Sequence, residues 1–155
     1  MLKVSFKKDC KNVKTYNEKV TEVTLVGELK MSIPTQEIPF PIYEWMTLHP
    51  SVDVVQSYDN YRIELTGKSK RAEGDKFNPV IGERIAESRA KIRLYKFLTT
   101  LCTKLRKHYS QMLTGKADCF FYTAVDKHCI ATSMLKYQQL LDKEGKHLEK
   151  LLQEL

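Results

Sequence analysis

The sequence of 155 residues lacks any apolar run close to the roughly 18–20 residues that a membrane-spanning helix needs. Its start, Met1 to Lys8, interleaves apolar residues with lysine and serine and has no apolar segment of the kind found in signal peptides. A hydrophobic content of 42% and a charged content of 29% are typical of a folded soluble chain. We therefore expect a single cytoplasmic domain, residues 1–155, with no membrane partner.

The spacings of cysteine and histidine that bind metal ions are also missing. The four cysteines form no C-x-x-C pair, and none of the four histidines lies at ligand spacing from another. Asp75, Glu83 and Glu87 lie close together in sequence and are an alternative metal site, although the helix dipole also explains acidic residues near a helix start. We expect neither a metal nor a cofactor, and we expect buried free thiols at Cys10, Cys102, Cys119 and Cys129.

No catalytic motif is present in the sequence. Gly67-Lys68-Ser69 resembles the end of a phosphate-binding loop, but the earlier glycine of that motif is missing. No serine or cysteine has the sequence context of a nucleophile, although a site assembled from distant residues would leave no such mark. We therefore name no catalytic residue and expect a protein that is not an enzyme.

The first 75 residues have the pattern of β-strands. Leu2, Val4 and Phe6 alternate with polar residues, which predicts a half-buried strand. The β-branched run from Val20 to Ile33 predicts a second strand, with a bulge near Gly27. Further strands are predicted at Val52–Ser57 and Tyr61–Thr66, followed by a turn at Gly67-Lys68-Ser69 and a return strand at Lys70-Arg71-Ala72.

Residues 33–50 form a proline-rich segment that excludes a central strand. The segment is too apolar for a mobile linker, so we expect a loop that packs over one end of the core, with a short helical turn at Ile42–Leu48. The alternative is a partner-binding loop in which Trp45 is an exposed anchor beside Tyr43.

A long helix is predicted from Asn78 to Leu113. Asn78 is a favourable N-cap, and Pro79 suits the first helical position because its missing N–H costs nothing there. The apolar side chains cover a wide face, which predicts a sheet on one side of the helix and another helix beside it. That face comprises Ile81, Ile85, Ser88, Ile92, Leu94, Tyr95, Leu98, Thr99, Leu101, Cys102, Leu105, Tyr109, Met112 and Leu113.

The opposite side of this helix is basic. Residues 79–113 contain eight Lys or Arg and two Glu, a net charge of +6 in a chain whose net charge is +7. Regularly spaced cations can follow a phosphate backbone, so this stripe is a candidate nucleic-acid-binding surface. The alternative is an ordinary solvated helix face. The stripe consists of Arg89, Arg93, Lys96, Lys104 and Lys107, and Lys68, Lys70 and Arg71 from the preceding segment are added as candidates.

The C-terminal segment from Ile130 to Leu155 predicts a second helix, so residues 78–155 are mainly helical. Apolar residues recur every seven positions at Met134, Leu141, Leu148 and Leu155. This row predicts either packing on the long helix or a homodimer seam.

The run from Asp75 to Lys91, DKFNPVIGERIAESRAK, resembles a junction found in small proteins of tailed phages and prophages. In that pattern a β-hairpin leads through an Asp-x-Phe-Asp/Asn step and a glycine into a helix. The similarity covers residues 61–95. It implies a mobile-element origin and nothing catalytic. Ala86 and Ala90 are small enough to allow another element to approach closely.

These observations predict an α+β fold in which an antiparallel N-terminal sheet packs against a long central helix and a C-terminal helix. The leading hypothesis is a phage or mobile-element accessory protein that binds nucleic acid through the basic helix face. The first alternative is a protein-binding inhibitor of a host defence complex, similar to an anti-CRISPR protein, whose target binds nucleic acid. The second is a small homo-oligomeric assembly protein.

Overall fold

The computed structural model describes residues 3–32, 40–49, 53–57, 60–71, 78–113 and 120–154. Its architecture is α+β, as the sequence predicts. The elements in chain order are β1 (Lys3–Tyr16), β2 (Val20–Ser32), α1 (Phe40–Thr47), β3 (Asp53–Ser57), β4 (Asn60–Lys70), α2 (Pro79–Leu113) and α3 (Phe120–Gln153).

The four strands form one antiparallel sheet in the order β1-β2-β4-β3. A tight turn at Asn17 and Glu18 joins β1 to β2, and both residues have positive φ, 50° and 53°. The Lys19 amide closes the turn by donating to the Tyr16 carbonyl at 3.0 Å. Positive φ at both central residues matches the right-handed twist of the flanking strands, which explains the tight hairpin.

The sheet buries one face under the helices. Val23, Leu25 and Leu29 of β2 and Ile63 and Leu65 of β4 are at most 1% exposed, and their neighbours in the two strands are more exposed, apart from Val26, which is also buried. This two-residue period is that of strands with a single buried face. We call the face toward α2 and α3 the inner face and the opposite one the outer face.

The bulge lies in β1, between Lys8 and Cys10, at the point where β1 crosses Gly27. The predicted bulge near Gly27 is therefore present in the β1–β2 hairpin, but its extra residue lies in β1 and not in β2. A Cβ atom at Gly27 would clash with the Phe6 ring and the Lys7 carbonyl oxygen. The absence of a side chain at Gly27 therefore leaves room for the Phe6 ring. Because of the extra residue, Lys8 and Lys11 are opposite Gly27 and Leu25, so both lie on the inner-face register.

Lys11 links β1 to the start of α2. Its ammonium donates to Glu83 at 2.9 Å and to Glu87 at 3.2 Å. These hydrogen bonds raise the pKa of Lys11. Burial raises the pKa of Glu87, but the Lys11 hydrogen bond and nearby cations outweigh it, so the pKa is below its ordinary value of 4.5. Glu83 and Glu87 are therefore ion-pair partners of the sheet in addition to being close to the helix start.

We expect Lys11→Met to weaken the acid sensitivity of folding. A lowered folded-state pKa stabilises the protein above the ordinary value and loses its contribution as the pH falls through the lowered one. The free energy of unfolding should be under about 1 kcal/mol lower in the variant at neutral pH, because the pair is partly exposed. The gap should close as the pH falls from about 5 to about 3, which urea titrations at each pH can measure. Lys14→Met, an exposed change on the same strand, is the control. A difference in the free energy of unfolding that stays constant as the pH falls would contradict the coupling of Lys11 to Glu87.

β4 continues straight through Gly67, so the predicted turn at Gly67-Lys68-Ser69 is wrong, and Lys70 ends β4 instead of beginning a return strand, while Ala72 lies outside the described residues. Gly67 is needed for close packing instead. A Cβ atom there would clash with the carbonyl oxygen of Ala86 and the amide nitrogen of Ala90. The two small alanines of α2 therefore lie directly on β4, which confirms the predicted close approach at these positions.

The bounds of α2 agree with the sequence prediction. The Asn78 side chain accepts hydrogen bonds from the amides of Val80 at 3.1 Å and Ile81 at 3.3 Å, as an N-cap does. By contrast, α3 begins at Phe120, ten residues before the predicted start at Ile130. The apolar run at residues 119–122 fits a helix or a strand equally well, and the observed continuation into Ile130 makes residues 120–122 the first turn of a longer helix.

The core lies between the inner face of the sheet and the two helices. Its largest fully buried side chains include Leu29, Ile63, Phe97, Leu101 and Ile130. Tyr137 of α3 reaches β1, where its hydroxyl donates to the Val4 carbonyl at 3.0 Å. α2 therefore packs against the sheet and against α3, as the width of its apolar face predicts.

The described cysteines are free. Cys102 is buried, and burial raises the pKa of its thiol to about 12. Cys10 is exposed, so the expectation of a buried thiol is wrong there: the bulged edge strand places it in solvent. Cys129 is half-buried, and Cys119 lies outside the described residues.

Candidate functional site

The predicted basic stripe runs along one uncovered side of α2. We call Arg89, Arg93, Lys96, Lys104 and Lys107 the basic flank. Ala86, Ala90 and Phe97, on one side of it, are buried against the sheet, and Ser88 on the other is buried where it donates to Glu144 of α3 at 2.8 Å. The flank residues are separated by three, four, seven or eight positions, which keeps them within a sector of about 80° around the helix axis.

Two members of the flank have a structural task that the sequence does not reveal. The Arg89 guanidinium donates to the Lys68 carbonyl at 2.7 Å, and that of Arg93 donates to the Thr66 carbonyl at 2.7 Å. Both carbonyls belong to β4 beyond Glu64, where the pairing with β3 ends. The arginines therefore hydrogen-bond a strand edge that β3 does not reach. Such charge-assisted bonds fix α2 against the sheet and orient both guanidinium groups.

The two arginines retain further donors. A guanidinium has five N–H groups in a fixed fork, and the described bonds use one nitrogen of each. Arg93 is exposed and Arg89 is half-buried. The remaining donors can bind an anion without giving up the carbonyl contacts.

The three lysines of the flank differ in their surroundings. Lys96 and Lys107 are exposed. Lys104 is half-buried and places its ammonium over the Trp45 ring, 5.1 Å from the centroid. This is cation–π geometry, in which the cation lies within about 6 Å of an aromatic ring.

The flank carries positive charge that is not neutralised nearby. Within the described residues, Lys11, Lys68 and Lys91 form ion pairs with glutamates. None of the five flank residues has an acidic partner within 4.0 Å in the same part of the chain. A row of cations without local counter-charges attracts anions from solution.

Trp45 is not the exposed anchor that the sequence suggests as an alternative. It is half-buried and stacks on Phe97, with centroids 5.2 Å apart and an interplanar angle of 10°. His49 meets both rings edge-on at 5.6 Å and 5.5 Å, and burial lowers the pKa of its imidazole. Tyr43 is half-buried and also packs against the core. The helical turn predicted at Ile42–Leu48 is α1, which fixes Trp45 beside the flank.

Lys68, Lys70 and Arg71 are not part of the basic flank. Neighbouring residues of a strand point to opposite faces, and Leu65 and Gly67 point inward, so Lys68 and Lys70 are on the outer face. Lys68 also pairs with Glu22 at 3.3 Å. The Arg71 amide donates to the Lys19 carbonyl at 2.8 Å. A surface that joins Lys68 and Lys70 to the basic flank would therefore have to pass around the β4 edge.

The row of apolar residues on α3 is used at least partly within the chain. Met134 is half-buried, packs against the core and accepts a bond at its sulfur from the Thr103 hydroxyl at 3.5 Å. Leu141 and Leu148 are half-buried, and Leu155 lies outside the described residues. Packing of α3 on α2 is therefore observed. A homodimer through this row stays a prediction.

Two further features concern site chemistry and membranes. No group of three or more His, Cys, Asp or Glu close enough to hold a metal ion occurs in the described ranges. No helix among the described residues has the length and apolarity to span a membrane.

No protein-family model, curated protein or solved structure matches the chain.

Phe97 and His49 are the site residues that the sequence interpretation missed. Phe97 lies about 40° from Arg93 around the helix, at the border between the apolar and basic faces. The aromatic residue at that border is the sequence feature that could have indicated a stacking partner for Trp45. The donation of Arg89 and Arg93 to β4 has no sequence signal, because it depends on where β3 stops pairing.

Proposed function

We propose that this protein is a non-enzymatic nucleic-acid-binding protein that holds a phosphate backbone with the basic flank. The observation that carries the proposal is the row of five cations along one side of α2 that have no acidic partner among the described residues. Between Arg89 and Lys107 the helix rises about 27 Å, at 1.5 Å per residue. Measured along a duplex axis, this length corresponds to about eight base-pair steps at 3.4 Å each.

The arrangement supports binding in two ways. Arg89 and Arg93 are held in place by the β4 carbonyls, so less side-chain freedom is lost when they bind an anion. Their free N–H pairs suit the oxygen atoms of a phosphate, whereas Lys96 and Lys107 act as mobile point charges. The proposed role is binding alone.

Salt dependence is the direct test. We expect fluorescent oligonucleotides to bind at low salt, with log K falling against log salt at a slope of about −4 for five phosphate contacts. Anisotropy titrations at four or more salt concentrations measure the slope. No binding at low salt would reject the proposal, and a slope near zero would show that the phosphates are not the contact.

We also propose a phage or mobile-element origin as an accessory protein, supported by the resemblance of residues 75–91 to the phage junction. The alternative function, an inhibitor of a host defence complex, is favoured by Phe40 and Leu48. Phe40, the first residue of α1, and Leu48, which follows its last residue, are 71% and 72% exposed, and exposed apolar side chains of this size can serve as anchors for a protein partner. Tight capture of a nucleic-acid-binding protein complex, lost in Phe40→Ser/Leu48→Ser, would support it over direct nucleic-acid binding.

A further inference from the structure

An aromatic ring lies within the basic flank. Phe97 is one residue after Lys96, and Trp45 stacks on it from α1. Lys104 is two helical turns further along α2 and covers the same indole with its ammonium. The indole therefore contacts one cation of the basic flank, and it is only partly buried.

We propose that the ligand of the basic flank is single-stranded nucleic acid, and that one unpaired base stacks on Trp45 in the place of the Lys104 ammonium. The inference rests on the proposed function and adds the class of nucleic acid to it. Lys104 then moves from the ring to a neighbouring phosphate. The Lys104 ammonium loses its cation–π contact with the indole and gains an ion pair with a phosphate. The indole loses the ammonium and gains a stacked base.

The reason for a single strand is the accessibility of base faces. In a duplex, each base is paired and stacked, so its flat face cannot reach a protein ring. A single strand presents these faces, and proteins that bind it combine a basic groove with aromatic stacking. An indole that stacks on Phe97 and contacts Lys104 of the basic flank provides both elements. A duplex could use the cations alone.

The chain has a built-in probe, because Trp45 is its single tryptophan. We expect a single-stranded oligonucleotide of about ten residues to quench and shift the tryptophan fluorescence as it binds. A duplex of the same length should leave the emission nearly unchanged. Anisotropy of a dye on the oligonucleotide measures binding independently of the tryptophan signal, and should show tighter binding of the single strand.

Two variants separate stacking from folding. Trp45→Ala should weaken binding of the single strand by about 5- to 100-fold and leave duplex binding unchanged. Trp45→Phe keeps an aromatic ring on Phe97, so the fold should persist and the loss should be smaller. Tyr43→Phe, on the same helix, is the matched control and should bind like the wild type. Circular dichroism checks that each variant is folded.

The outcomes distinguish this inference from the proposed function. Binding seen by anisotropy with unchanged tryptophan emission and equal affinity for both forms would overturn the single-strand inference and leave the basic flank as a phosphate-binding surface. A loss of single-strand affinity in Trp45→Ala without any loss for the duplex would support it. Absence of binding to either form at low salt would reject both.

Discussion

Lys96→Glu/Lys107→Glu is expected to lower nucleic-acid affinity on the order of a hundredfold at low salt. Each change removes an attraction of about 1 kcal/mol in water and adds a repulsion of similar size, and salt screens part of both. Both lysines are exposed and neither has an ion-pair or hydrogen-bond partner in the described structure, so the fold should be unaffected. Fluorescence anisotropy measures the affinity.

The matched control is Arg84→Glu/Arg106→Glu. Both arginines are exposed on α2 but lie outside the basic flank. Each double variant changes the net charge of the chain from +7 to +3, so overall charge is equal in the two proteins. An equal loss of affinity in the control would show that net charge, and not the flank, attracts the nucleic acid.

Arg89 and Arg93 are poor choices for this first test. Their replacement by Glu would place carboxylates beside the carbonyl oxygens of Lys68 and Thr66 and remove the donors that those oxygens now have. Repulsion between two acceptors, and the loss of charge-assisted bonds of about 1.5–3 kcal/mol each, would lower stability together with affinity. The lysine pair separates the two effects.

Gly67→Ala is expected to destabilise the fold by about 3 kcal/mol or more, at the upper end of the usual cost of overpacking. The added methyl group would clash with the backbone of α2 at Ala86 and Ala90. Backbone atoms cannot turn aside as a flexible side chain can, so the helix would have to move away from β4. A urea titration measures the loss as a lower unfolding midpoint.

Gly145→Ala is the control for the same substitution. Gly145 lies within α3, and an added Cβ would have no neighbour within 4 Å. Alanine restricts the unfolded chain and favours a helix, so the free energy of unfolding should rise by about 0.5–1 kcal/mol. A similar midpoint for both glycine variants would show that the close contact of β4 with α2 is absent in solution.

The helix start at Asn78 and Pro79 was predictable because capping is local: the donor amides lie two and three residues from the accepting side chain. The strand at Val20 was predictable for the same reason, since alternation is visible within a few residues. Gly67 was misinterpreted because glycine is typical both of a turn and of a close contact between elements. Only the position of α2 decides between the two.

The candidate site was predictable in one respect. The spacing of the five cations places them on one side of a helix, and they lie there. The contacts of that row were not predictable, because they join residues far apart in sequence: Arg89 to Lys68, Lys104 to Trp45, and Lys11 to Glu83. Whether a cation is free or already engaged is a property of the packed structure.

The bonds from Arg89 and Arg93 to β4 also affect how copies of this protein can meet. A strand edge with free carbonyls is a template for another strand, and here guanidinium groups occupy two of those carbonyls. The opposite edge, β1, has a bulge at Asp9 and exposed lysines, which also discourage strand addition. Addition of a strand is thus opposed at β1 and at the part of β4 that extends beyond β3. The residues that attract an anionic partner on one side would therefore help to keep the protein from aggregating at high concentration.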